Sequence, residues 1–178
     1  MNHSGMTRSK KKIGWIGSKT TIDNLEIVVE PLNELIRKHP EVSVDIISNT
    51  DDGYTDKILN SRLVPWSQEG YIKAISYFTI GIMPLKNNAF NRGKCGFKLI
   101  QYLNMKKPVV GSPVGVNEDI IAGNGLSATT EEEWVEAFEK LLFDKEDYDR
   151  CVSHIEREFF KTYHFSNVAD KMIGILNG

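Results

Sequence analysis

The chain has 178 residues, 40% hydrophobic and 26% charged, with 22 Lys and Arg against 24 Asp and Glu. This balance excludes a disordered, collagen-like or long coiled-coil chain, and the length suffices to bury one core without disulfide or metal staples. Two cysteines, Cys95 and Cys151, exclude a zinc knuckle or a disulfide framework. No apolar run approaches the roughly 20 residues that cross a bilayer, and Met1 to Lys12 is polar and basic. A reducing, cytoplasmic chain is expected, with peripheral association of a longer protein at the inner membrane face left open.

Residues 1–11 read as a flexible basic leader or linker, and 12–178 as one domain. The apolar run KIGWIG, Lys12 to Gly17, has the shape of a buried strand meeting a turn. Thr20 or Thr21 can then cap a helix whose apolar positions Ile22, Leu25, Val28, Val29, Leu32, Leu35 and Ile36 follow helical spacing, with Pro31 kinking it. Val42 to Ile47 alternates as a second strand. A turn-rich polar loop at Asn49 to Asp56 separates it from a third, Arg62 to Trp66. Ser67 to Tyr77 is a helix, Phe78 to Leu85 a fourth strand, and the glycine-containing loop Lys86 to Gly96 opens a helix from Phe97 to Asn104. Strands at Pro108 to Ser112 and Gly125 to Ala128 flank a short helix at Val116 to Ala122. Helices at Thr130 to Phe143, Lys145 to Tyr163 and Phe165 to Leu176 end the chain. Six strands interleaved with helices imply an α/β fold: a single doubly wound, mostly parallel sheet with helices on both faces and a helical C-terminus.

The charge is uneven. Arg8, Lys10, Lys11 and Lys12 lie in the first twelve residues with no acid, so 18 basic residues remain against 24 acidic ones, a net of −6. Yet from Gly70 to Asn117 there is no Asp or Glu, while Lys73, Lys86, Arg92, Lys94, Lys98, Lys106 and Lys107 fall inside. A solvated basic face and an anion site are equally compatible with that window. In an open parallel sheet, ligands sit outside the carboxyl ends of the strands. Two loops there carry suitable groups. Gly17-Ser18-Lys19-Thr20 offers amides and hydroxyls, though neither the G-x-G-x-x-G nor the P-loop pattern is present. Asn91 to Lys98 places Arg92, Lys94 and Lys98 with Gly93 and Gly96 at a helix start, where backbone amides and the helix dipole favour phosphate. If that helix already includes Lys94, Lys94 and Lys98 share a face, a costly arrangement unless an anion joins them. Gln101 follows one turn on.

Other residues carry weaker signals. Cys95 reads as a small packing residue, and His3, His39, His154 and His164 lack metal-ligand spacing. Asp51 and Asp52 read as a solvated turn. Trp66 is equally a base-stacking residue or a core residue, and Asn117 equally a helix cap or a ligand contact.

Taken together, IGWIGS (Ile13 to Ser18), VPW (Val64 to Trp66), IGIMPL (Ile80 to Leu85), RGKCGFKLIQYL (Arg92 to Leu103) and KPVVGSPVGVNEDII (Lys107 to Ile121) resemble a known arrangement. It is the C-terminal, donor-binding domain of retaining glycosyltransferases of group 1 or family 4, which have two Rossmann-like domains (the GT-B type). The resemblance covers residues 13–121. It implies that a donor diphosphate lies against Gly17, Ser18, Arg92, Gly93, Lys94, Gly96 and Lys98, with Gln101 and Trp66 contacting ribose or base. Many relatives carry a glutamate at the place of Gln101 and another at the place of Gly93. Their usual Arg and Lys after the first strand have no counterpart beyond Lys19.

The resemblance further implies a UDP- or GDP-linked sugar as donor, no metal, no covalently bound cofactor, and transfer of a hexose-type sugar to a glycan or lipid-linked acceptor in polysaccharide or glycoconjugate synthesis. Catalytic residues are not assigned. Acceptor binding belongs to an N-terminal domain missing from this chain, so the chain alone is expected to bind donor and transfer little or nothing. No nucleic-acid partner is expected. The competing reading is a noncatalytic Rossmann-like module that binds another phosphorylated ligand or a protein partner.

Overall fold

The computed structural model describes residues 10–163. Strand β1 spans Lys11–Ile16, followed by a 3₁₀ segment at Ile22–Val28 and helix α1 at Val29–Lys38. Next come β2 (Val42–Ser48), α2 (Tyr54–Lys57), β3 (Ser61–Pro65), α3 (Tyr71–Ser76), β4 (Ile80–Met83), α4 (Ala89–Arg92) and α5 (Phe97–Asn104). Then follow β5 (Val109–Gly111), α6 (Asn117–Ile121), β6 (Gly125–Ser127), α7 (Glu131–Phe143), α8 (Lys145–His154), a π-helical turn at Ile155–Phe159, and α9 (Phe160–Tyr163). The strands form one sheet in the order β3-β2-β1-β4-β5-β6, and each neighbouring pair is parallel. This is the expected doubly wound, Rossmann-like sheet.

The central strands are buried on both faces, which explains why they read as continuous apolar runs rather than alternating ones. On one face Ile13, Trp15, Val44 and Ile82 pack with Leu32 and Leu35 of α1 and Trp134 and Phe138 of α7. On the other, Ile16, Ile47 and Met83 pack with Leu99, Tyr102 and Leu103 of α5 and with Ile155 and Phe159. Gly14 and Gly81 lie opposite each other in the β1–β4 register. A Cβ at Gly14 would sit 1.9 Å from the Phe78 ring, and one at Gly81 2.3 Å from the Tyr102 ring. Two bare positions therefore admit two aromatic rings onto the middle of the sheet.

Several expected elements differ, each for a local reason. The first helix is split: the α-helical ladder restarts at Val29, which puts Pro31 in a first turn where its missing N–H is not needed. Thr21 does not cap the segment with its side chain; its hydroxyl turns back to Ser18 instead. The helix expected from Ser67 starts only at Tyr71, because Ser67 Oγ and its carbonyl both accept from Gly70 N and hold a turn. Short helices α2 and α4 interrupt the two polar loops. Lys145 to Tyr163 is helical but passes through the π turn, which buries both Ile155 and Phe159. The helix expected at Phe165 to Leu176 lies outside the described residues.

Thr130 caps α7 through a full capping box with Glu133. Asp45 on β2, almost fully buried, accepts from Lys12 Nζ at 2.9 Å and from Arg62 Nε and a terminal Arg62 nitrogen at 2.8 and 3.0 Å. Burial raises its pKa, but the bonds from Arg62 and Lys12 together outweigh that and hold it below the ordinary value. This contribution to stability is present above the unfolded value and is lost as pH falls through the depressed folded one. Asp45→Ala should cost about 2 kcal/mol in a denaturant melt, less than a fully enclosed pair because Arg62 is largely exposed.

Candidate functional site

Strand order reverses between β1 and β4, and these two strands pair only through Ile13–Ile80 and Gly14–Gly81 before parting. The gap is bridged by the Tyr102 hydroxyl, which accepts from Ile16 N at 2.9 Å and donates to Ile82 O at 3.3 Å. Burial pushes this phenol well above its usual pKa, so it stays a neutral clip. Tyr102→Phe leaves Ile16 N–H without its partner and should cost about 1–3 kcal/mol, read as a lower denaturation midpoint with an unchanged slope. Above the clip opens a cavity of about 1220 Å³, walled by the loops after β1, β2, β3 and β4 and by the first turns of α5.

The loops after β1 and β4 are held by their own polar groups. Ser18 N donates to Thr21 Oγ1 at 3.2 Å, and Thr21 Oγ1 donates to Ser18 O at 3.1 Å. Buried Asn24 accepts from Lys86 N at 2.9 Å and from Asn91 Nδ2 at 3.1 Å, and donates to Thr21 O at 3.0 Å. One asparagine pair therefore fixes the two loops to each other. Gly96, at φ 66°, caps α5 in the left-handed region, so α5 starts at Phe97 and Lys94 lies before it. The first-turn amides of α5 have no helical acceptor and belong to the cavity wall at Phe97 and Lys98.

Lys94 and Lys98 nevertheless come together. Lys98 Nζ donates to Thr21 Oγ1 at 3.1 Å and stands 5.0 Å from the centre of the Trp15 ring. Lys94 Nζ is buried, lies 5.0 Å from the Phe90 ring centre and has no hydrogen-bond partner among the described residues. Desolvation first, and then the neighbouring Lys94 charge, lower the Lys98 pKa to about 8. Desolvation also lowers that of Lys94, against an opposing pull from Asp23. No carboxylate lines the cavity among the described residues. Two cations thus share a wall that carries no carboxylate among the described residues, an arrangement with the chemistry to accept an anion.

Of the residues singled out in the sequence, Gly17, Ser18, Trp66, Gly93, Lys94, Gly96, Lys98 and Gln101 all line this one cavity. Arg92 does not: it is exposed, and its Nε donates to Asn87 Oδ1 at 2.7 Å. Trp66 is 42% exposed and stacks on Tyr71 at the rim, so it is not a core residue. Cys95 is exposed in the cavity wall rather than packed in the core. Asn117 is buried and donates to Ser112 O at 3.3 Å, one residue inside α6, and so caps nothing. Asp51 holds a turn with Gly53 N, as expected. Trp15, Thr21 and the Asn24–Asn91 pair escaped the sequence reading, because each acts through a neighbour distant in sequence. Among the described residues no group of His, Cys, Asp and Glu could hold a metal ion, and no helix is long and apolar enough to cross a membrane.

A family model for glycosyl transferases group 1 matches residues 10–144. The chain belongs to this family. Among curated proteins none matches the sequence significantly. Solved structures share the fold of this group 1 domain. A variant of S. aureus TarM, in complex with fondaparinux, α-GlcNAc-glycerol and UDP, matches with a TM-score of 0.73 at 14% identity, covering 100% of this chain and 38% of that one. HepE of Anabaena, in complex with UDP and glucose, matches at 0.75 and 11% identity over 95% of this chain and 49% of that one. The C-terminal domain of LpcC, a group 1 glycosyl transferase from Francisella tularensis, matches at 0.69 and 14% identity over 87% of this chain and 86% of that one. The group 1 chain therefore spans less than half of TarM and HepE but most of the LpcC C-terminal domain.

Proposed function

We propose that this group 1 glycosyl transferase chain, from about residue 12 onward, is the donor-binding half of a sugar-transferring enzyme, and that its cavity takes a nucleotide-diphosphate sugar. The observation that carries this is the Lys94–Lys98 pair, two desolvated cations at the start of α5 facing a cavity that no carboxylate lines among the described residues. Sugar transfer leaves a nucleoside diphosphate, and fixed positive charge stabilises that leaving group as its charge develops. In this reading Gly17, Ser18, Gly93 and Gly96 approach the diphosphate with backbone, Lys94 and Lys98 neutralise it, and Trp66 and Gln101 face the nucleoside. Arg92 is best placed to act through its loop. The donor is UDP- or GDP-linked and the sugar is hexose-type. The acceptor, a glycan or lipid-linked, binds a domain outside this chain, and transfer needs no metal. The setting is cytoplasmic.

Titrating UDP, GDP and their sugar conjugates against the chain by calorimetry tests this. Binding of at least one below about millimolar is expected, and no binding of any near that concentration would contradict it. A noncatalytic binding module is the second reading, since among the described residues no carboxylate that could serve as an acid or base lines the cavity.

A further inference from the structure

We propose that Trp15 is a positioning residue of this cavity: its indole face holds the Lys98 ammonium where the donor's diphosphate is bound. The inference rests on the donor-site reading above and adds to it a residue that does not itself line the cavity. Trp15 is 1% exposed, at the end of β1, with its ring under the loop that follows. A Cβ added at Gly17 would come within 2.2 Å of Trp15 Cη2, so the absence of a side chain at position 17 lets the benzo edge lie directly beneath that loop. Lys98 reaches across from α5 to stand 5.0 Å from the ring centre, and its Nζ donates to Thr21 Oγ1.

A buried ammonium needs compensation. Apart from Thr21 the ring face is the favourable partner of Lys98 among the described residues, because the neighbouring Lys94 is a like charge. An aromatic ring serves this position better than a carboxylate. It stabilises the cation without neutralising it, so the full charge stays available to a phosphate. A carboxylate at the same place would form a closed pair and compete with the ligand.

The test separates the ring's electrostatics from its packing. Tryptophan carrying one, two or three fluorines is introduced at position 15 alone by nonsense suppression, and UDP and uridine are titrated against each protein at pH 7. Fluorine drains the ring's negative face with little change in shape. UDP affinity is expected to fall stepwise, reaching about tenfold for the trifluoro ring. Uridine affinity should stay constant, and in a Lys98→Met background the UDP dependence should vanish. Constant UDP affinity across the series, or an equal fall in the Lys98→Met background, would overturn the role of Trp15 while leaving the donor site standing. Absence of UDP binding by the unmodified protein would instead overturn the donor-site reading, and this inference with it.

Discussion

Replacing both cavity lysines, as Lys94→Ala with Lys98→Met, is expected to weaken UDP binding by about 100-fold or more, since each charge-assisted contact carries roughly 1.5–3 kcal/mol. Folding should not suffer. Among the described residues of the free protein, Lys98 is a desolvated cation whose neighbours are a ring, a hydroxyl and another lysine, and Lys94 Nζ has no hydrogen-bond partner. Removing such charges relieves a standing cost, so Lys98→Met alone should raise stability by about 1 kcal/mol at pH 7. Gain of stability with loss of binding distinguishes a ligand site from a structural one, where both would fall together.

The sign of the pH dependence follows from the same residue. With its folded value lowered to about 8 from 10.5, Lys98 imposes its full cost on folding below pH 8, and that cost is relieved as pH rises towards the unfolded value. Binding runs the other way. A diphosphate favours the charged amine, so affinity is greatest below pH 8 and declines above it. At pH 8–9 each UDP bound should draw in a fraction of a proton, measurable as a buffer-dependent heat. Lys98→Met should abolish most of that uptake.

The second large effect lies behind the loop. Gly115 has φ 61°, and a Cβ there would stand 2.4 Å from Arg92 O and 3.1 Å from Arg92 C, both backbone. Gly115→Ala combines a left-handed conformation with a clash that no side-chain rotation can relieve, and about 3 kcal/mol of stability should be lost. Because the displaced backbone carries Gly93 and Lys94, UDP affinity should fall about tenfold in the protein that remains folded. Gly93 supplies the control for stability. Its φ is −82°, and a Cβ there would meet only Phe90 O at 3.6 Å and Ala89 O at 4.0 Å, so Gly93→Ala should be neutral within about 0.5 kcal/mol. Thermal melts of the two variants side by side, with a UDP titration of Gly115→Ala, check these expectations.

The strands and their doubly wound, parallel arrangement were legible because a parallel sheet buried on both faces writes itself as apolar runs separated by helical periods, and the crevice followed from where those runs end. The acid-free window then pointed to Lys94 and Lys98 without any knowledge of distances. Harder to read were contacts made across the fold. Nothing in the spacing of Trp15, Thr21 and Lys98 says that a ring, a hydroxyl and an ammonium meet, since the meeting depends on how α5 crosses β1. Arg92 shows the converse. It is in the right loop, but α4, capped by Asn88, turns its guanidinium towards Asn87 and away from the cavity. Cys95 and Trp66 were read by residue type, and type does not reveal that both stand at the wall of a cavity wide enough to keep them exposed.

The central claim is that this cavity recognises a nucleotide through its diphosphate. Calorimetric titration of UDP against uridine at pH 7 measures it most directly. UDP should bind below about millimolar and at least tenfold more tightly than uridine, as expected when two desolvated lysines meet the phosphates. Equal affinity for the two, or no UDP binding at millimolar concentration, would contradict it.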